Sequence, residues 1–169
     1  MFKNKSILIT GGTGSFGKSF VKYLLSIKTN KPRRVIVFSR DELKQSKMSE
    51  IYSEEKYPNI RYFLGDVRDR QRVKMSLEDV DYIVHAAALK QIPAAEYNPI
   101  EYIKTNIVGA QNIIEAALEK TKVKKVVALS TDKASSPVNL YGATKLCSDK
   151  LFTNAIHLVG KERRLLFSV

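Results

Sequence analysis

The chain has 169 residues and a single cysteine, Cys147, which gives room for one domain with a real core and excludes an internal disulfide. Hydrophobic residues make up 44% and charged residues 27%, and no apolar run reaches the ~18–20 residues of a bilayer span, so a cytoplasmic protein with no membrane partner is expected. The net charge of +12 comes from basic residues spread along the chain with no zinc-binding or aromatic-interleaved pattern, which predicts a basic surface suited to anionic nucleotides rather than a nucleic-acid partner.

The opening "MFKNKSILITGG" has a basic start and a short apolar run, as a signal peptide would. The run passes directly into a glycine-rich loop with no small-residue cleavage site, so Ser6–Thr10 reads as a first strand. The loop "TGGTGSFG" follows, with Gly11, Gly14 and Gly17 spaced three apart. In that pattern the first glycine makes a tight turn, the second lets the backbone approach a pyrophosphate, and the third lets helix and strand pack closely. The helix that opens there, within "FGKSFVKYLLSIK", carries Phe16, Phe20, Leu24 and Ile27 as an expected apolar stripe.

A second buried strand is expected at Arg34–Ser39, ending in "FSRDE". An acidic residue at this strand end would hold the ribose hydroxyls of NAD. Ser39 and Arg40 stand there instead, a hydroxyl and a guanidinium suited to a 2′-phosphate, so NADP is the expected cofactor. Asp41 fits better as a residue at the start of the next helix. After the third strand, Ile60–Leu64, "GDVRD" brings Asp66 and Val67 to the expected adenine edge, although Asp66 also reads as an ordinary loop carboxylate. The fourth strand is read at Asp81–Ala87, with His85 as a core histidine, and a long helix at Ile100–Leu118.

The fifth strand, Lys125–Ser130, leads into "STDKASSPVNLYGATK". The Tyr-x-x-x-Lys spacing occurs twice, at Tyr52–Lys56 and Tyr141–Lys145, so spacing alone decides nothing. Only the second pair follows a strand at the start of a helix, at the carboxyl end of the sheet where ligands bind. One helical turn away, an ammonium can lower a phenol from its usual pKa of about 10 and let it act as a base. Asp132 and Lys133, just upstream, are more proton-handling groups than one hydride transfer needs, unless they form a simple turn ion pair. A sixth strand begins in "RLLFSV" as the chain stops at Val169. Strand–helix alternation of this kind predicts an α/β fold, a doubly wound parallel sheet of the NAD(P)-binding, Rossmann-like type spanning 1–169. No metal-ligand spacing occurs, and His157 and Cys147 carry no signal.

"TGGTGSFG", "HAAALKQ", "KTNIVGAQN" and "STDKASSPVNLYGATKLCSDK" together resemble the extended short-chain dehydrogenase/reductase family. More narrowly they resemble its sugar-nucleotide 4,6-dehydratases of bacterial surface-glycan and pseudaminic acid synthesis. The resemblance implies UDP-N-acetylglucosamine as substrate and a 4-keto-6-deoxy sugar as product. Tyr141 favours the branch that inverts carbon 5, since the retaining branch commonly has Met there. It implies Tyr141 and Lys145 for oxidation at C4, and Asp132 and Lys133 as acid and base for loss of water across C5–C6. A lysine base requires a pKa well below ~10.4, through burial or a nearby positive charge such as Lys145.

By the same resemblance, Thr131 bonds the sugar or orients Tyr141, and Lys90 contacts cofactor and substrate unless it is a solvated loop lysine. Asn106 supports the Lys145 network or merely bends its helix. Gly11, Thr13, Gly14, Ser15, Phe16 and Gly17 are expected on the cofactor, with Ser39, Arg40, Asp41, Glu42, Leu43, Lys44, Asp66, Val67, Ala86, Lys90, Tyr141 and Lys145. Family members continue into a C-terminal substrate domain, absent from these 169 residues, and form homo-oligomers at full length. The alternatives are an NADP-binding module without turnover, a UDP-hexose 4-epimerase, or a ketone reductase. An open sheet edge favouring self-association is also expected.

Overall fold

The computed structural model describes residues 2–160 and 163–169. Six parallel strands form one sheet: β1 (Ser6–Thr10), β2 (Arg34–Ser39), β3 (Ile60–Leu64), β4 (Tyr82–His85), β5 (Lys125–Ala128) and β6 (Leu166–Ser168). Their spatial order is β3-β2-β1-β4-β5-β6, so the order reverses between β1 and β4. This is the doubly wound Rossmann-like arrangement, with a crevice at the carboxyl ends of the two central strands.

Alternation along the buried strands feeds two cores. Leu8, Ile36, Phe38 and Ile83 point to one face, with Val73, Ile113 and Phe152. Ile7, Ile9, Val35 and Val37 point to the other, with Val21, Leu24 and Met48. Helices α1 (Ser15–Ser26) and α2 (Glu42–Ile51) serve the second face. Helix α3 (Arg70–Ser76), the later α6 (Gly109–Glu119) and α7 (Leu140–Asn154) serve the first. A sheet covered on both faces explains strands that read as continuous apolar runs.

The fully buried residues of α1 are Gly17, Val21 and Leu24. Of the expected stripe, Phe20 and Ile27 pack partly buried against the same core as Leu24, and Phe16 is exposed. The rings of Phe16, Phe20 and Tyr23 stack in series, with centroids 5.7 and 6.2 Å apart, and Ile27 is the C-cap of the helix. A Cβ on Gly17 would meet the Gly12 backbone at 2.5 Å, so the helix turns Gly17 toward the loop. Strands β4 and β5 are also shorter than their apolar runs. After His85 the backbone leaves the ladder, and the amides of Ala86 and Ala87 donate to the Thr10 hydroxyl at 3.1 and 3.2 Å.

The long helix expected between β4 and β5 is broken into pieces. Helices α4 (Ile92–Tyr97) and α5 (Pro99–Tyr102) lead into a π-helical segment, Ile103–Val108, which continues as α6. Among the described residues no helix is long and apolar enough to cross a membrane. Gly17→Ala is expected to lower the melting temperature by about 5 °C, from about 2 kcal/mol of overpacking against backbone. Gly160→Ala, where an added Cβ has nothing within 4 Å among the described residues, should change it by less than about 1 °C. Thermal denaturation of both variants checks the packing, and an unshifted Gly17→Ala would refute it.

Candidate functional site

At the reversal of strand order lies a cleft of 740 Å³, within the usual range for a bound small molecule or cofactor. Its floor is the phosphate loop. Gly11 has φ +64°, and a Cβ on it would strike the Ala86 and Ala87 backbone at 2.8–2.9 Å. Gly14 differs, because its added Cβ meets only the Gly11 carbonyl, at 3.2 Å, and the residue lines the cleft. An open backbone ahead of the α1 N-terminus, with Thr13, Ser15, Phe16 and Lys18 around it, fits the pyrophosphate of a dinucleotide.

The strand-end region of β2 forms the next wall. Ser39, Arg40, Asp41 and Lys44 line it, and Glu42 and Leu43 do not. Asp41 caps α2: its carboxylate accepts from the Lys44 amide at 2.9 Å and pairs with the Lys44 ammonium at 2.8 Å. Those bonds hold its carboxyl below the usual range. Beyond β3, Asp66 and Val67 line the cleft, and Asp66 is gripped by Arg68 and lies 3.8 Å from Arg40. Burial alone would raise the Asp66 carboxyl, but the bonds from Arg68 outweigh it and the group titrates lower.

At the far end, Tyr141 and Lys145 line the cleft with His85, Ala86, Lys90, Leu129 and Ser130. Lys145 is 5% exposed, and its ammonium donates to the Leu129 carbonyl at 2.6 Å. Burial lowers its pKa, against the opposing charge of Asp149. Asp149, one turn further along α7, accepts from the Ser130 hydroxyl. Two successive turns of α7 therefore hold two successive residues at the end of β5. Nothing in the spacing of known motifs singles out Asp149, although its position four after Lys145 puts both on one helix face.

Asp132 and Lys133 sit just outside the cleft, on a 3₁₀ turn (Asp132–Ala134). They pair at 2.6 Å and are exposed. Lys133 does not meet the requirement for a lowered pKa: the bond to Asp132 raises it, and the same bond lowers Asp132. The Thr131 hydroxyl donates to the Asp132 carboxylate at 3.0 Å rather than orienting Tyr141. What brings the turn to Tyr141 is Gly142, where a Cβ would collide with the Lys133 carbonyl and then with Pro137. Asn106 holds the Leu89 backbone through both its amide and carbonyl, at 2.8 and 2.9 Å, and bonds Thr144 at 3.0 Å. It thus ties the π segment to the Lys90 loop and to α7, and its bonds go to Thr144 rather than to Lys145.

His85 has both a core and a cleft role. The Thr10 hydroxyl already accepts two amides, so its proton goes to His85 Nδ1, 2.8 Å away, and fixes the imidazole with hydrogen on Nε2. Burial, and secondarily Lys145, hold its pKa down at about 3.

Residues 7–169 match the polysaccharide biosynthesis protein family. The chain is 57% identical over 163 residues to a UDP-N-acetylglucosamine 4,6-dehydratase (inverting) of Campylobacter jejuni, covering 96% of this chain and 47% of that protein. It is 46% identical over 152 residues to a UDP-glucose 4-epimerase of Rickettsia canadensis, covering 89% and 43%. The crystal structure of Pen from Bacillus thuringiensis superposes with a TM-score of 0.91 at 45% identity, covering 99% of this chain and 51% of that one. The chain thus spans about half the length of the curated relatives it matches.

The buried His85 makes a signed prediction. Unfolded, it titrates near its ordinary value of about 6.5; folded, near 3. Between the two, only the unfolded chain binds the proton, so stability falls as pH drops through this window. Between pH 7 and pH 5 the loss is about 2 kcal/mol, and His85→Asn should remove it. Urea midpoints at the two pH values test this; an unchanged slope in the variant would assign the loss to other groups.

Proposed function

The chain belongs to the polysaccharide biosynthesis protein family, and from that premise we propose that it is the dinucleotide-binding half of an NADP-dependent, inverting UDP-N-acetylglucosamine 4,6-dehydratase. In this reading residues 1–169 carry the cofactor and the reacting side chains, and the relatives' other half supplies the rest of the sugar-nucleotide site. The whole protein is a cytoplasmic homo-oligomer serving bacterial surface-glycan synthesis of the pseudaminic acid type. The carrying observation is the close approach of Gly142 to the Lys133 backbone, which sets the Tyr141–Lys145 helix beside the Asp132–Lys133 turn at one end of the cleft.

NADP⁺, when bound, supplies the acceptor for hydride from C4 and its return to C6. Tyr141 takes the C4 hydroxyl proton, and Lys145 holds the nearby ribose. The ketone acidifies C5–H. Lys133 takes that proton, and Asp132 gives one to the departing C6 hydroxyl, so water leaves. Reprotonation of C5 from the opposite face inverts it. Thr131 and Lys90 contact the sugar.

The exposed pair stands as ammonium and carboxylate, which is the opposite of the form this step needs. One proton shift, from Lys133 to Asp132, gives the amine base and the carboxylic acid at unchanged net charge. Desolvation beneath a bound sugar favours that neutral form. For the cofactor, Asp41 is occupied as a helix cap, and Ser39 and Arg40 face the cleft, which supports NADP over NAD. A second reading, 4-epimerisation, is favoured by the Rickettsia relative. It has no water to expel and no use for a second acid–base pair.

Joined to the C-terminal half that its relatives carry, the chain is expected to convert UDP-N-acetylglucosamine with loss of one water, read by product mass. Lys133→Ala should abolish that loss, by about a thousandfold or more, while NADP binding persists. An isobaric product from the parent would install the epimerase reading instead. Gly142→Ala should cut dehydration by about a hundredfold by separating Tyr141 from the turn, with cofactor affinity retained; unimpaired turnover would dismiss the close approach as incidental.

A further inference from the structure

We propose that Gln45 is a specificity-determining residue, which makes the Ser39 hydroxyl a hydrogen-bond donor toward the 2′-phosphate of the cofactor. This rests on the NADP reading above. No motif of the phosphate loop or of the strand end marks Gln45; it lies on α2, one turn past the Asp41 cap.

Gln45 is 7% exposed, and its amide nitrogen lies 3.0 Å from each of three oxygens: the Ser39 carbonyl, the Phe63 carbonyl and the Ser39 hydroxyl. The two carbonyls can only accept, so they fix the amide with its NH₂ toward them and exclude the flipped orientation. The nitrogen has two hydrogens for three oxygens and no lone pair to offer, so one hydrogen is shared, and the Ser39 hydroxyl has one role in this contact, that of acceptor. Its own proton is then free. Ser39 lines the cleft, and among the described residues no other acceptor takes that proton.

The result is a preset donor at the ribose end of the cleft. A 2′-phosphate, with a second pKa of about 6, presents only acceptor oxygens near neutral pH and matches it. A ribose 2′-hydroxyl can reverse its own polarity and has no such dependence. Arg40 on the same wall adds charge, but charge alone would not require an oriented hydroxyl. The two strand carbonyls also tie β2 to β3 at this point, so the device is built into the sheet rather than into a mobile loop.

The test is isothermal titration of the chain with NADP⁺ and with NAD⁺, for the parent, Gln45→Met, Ser39→Ala and the double variant. Each single variant is expected to bind NADP⁺ about tenfold more weakly, with NAD⁺ affinity changed less than about twofold. The double variant should be no weaker than the singles, since both remove one interaction. If the singles weaken both dinucleotides equally, Gln45 is only structural and the proposal is overturned. Additive losses in the double variant overturn it too, because Gln45 then acts apart from Ser39. A parent that binds NAD⁺ as tightly as NADP⁺ defeats the underlying cofactor reading instead. Gln45→Leu, of similar volume, makes the same comparison if the methionine variant does not fold.

Discussion

The contact on which the site depends is the seam between the end of β5 and helix α7. Three things close it: Gly142 against the Lys133 backbone, the Lys145 ammonium on the Leu129 carbonyl, and the Asp149 carboxylate on the Ser130 hydroxyl. Each joins one turn of α7 to one residue or short turn after the strand. Together they fix the direction in which Tyr141 leaves the helix and the place where the Asp132–Lys133 turn stands. The phosphate loop holds a dinucleotide in many proteins of this fold. The seam determines what can be done with it.

The two lysines of the seam show how burial divides labour. Lys145 is buried and its ammonium is destabilised, but Asp149 and the Leu129 carbonyl keep a charge there useful. It can therefore sit beside a phenol and a ribose as a fixed cation. Lys133 is half exposed and bound to a carboxylate, so its ammonium is stabilised. Solvent that stabilises the ion pair also holds it in the resting form. In the proposed mechanism, removing that solvent turns the pair into a base and an acid, which couples its chemistry to coverage of the cleft mouth.

Much of this was legible in the sequence, for physical reasons that differ by element. Strands β1, β2 and β3 end where their apolar runs end, because turns bound them. In β4 and β5 the apolar run continues after the ladder stops, since the same small residues that fill a strand also line the cleft wall. In α1 the apolar spacing marks Phe20, Leu24 and Ile27 as core-facing, while the close approach of Gly17 to Gly12 carries no apolar signal. The π segment has no composition of its own; Thr105 and Asn106 are both buried there, which is hard to anticipate from a 3.6-residue period. Asp149 and Gln45 act through other residues, so they carry no spacing that a motif records. Glu42 and Leu43 lie beside cleft residues in sequence, yet α2 carries them away from the wall.

Similarity to both a dehydratase and an epimerase follows from the same division. Oxidation at C4 needs a dinucleotide, a phenol and a cation, and in the proposed reading the cleft floor, Tyr141 and Lys145 would serve that step in either reaction. In the proposed reading the residues for elimination occupy one short turn, Asp132–Ala134. Half-chain identity of 57% with one enzyme and 46% with the other does not by itself choose between the two reactions. What separates the readings is local chemistry. An epimerase must re-present the other face of its ketone to the cofactor, which calls for room. A dehydratase must hold an acid and a base at C5–C6, and the approach of Gly142 to the Lys133 backbone fixes the turn from which Asp132 and Lys133 project. The close packing of that turn is thus an argument for elimination, made from the backbone and independent of any overall likeness.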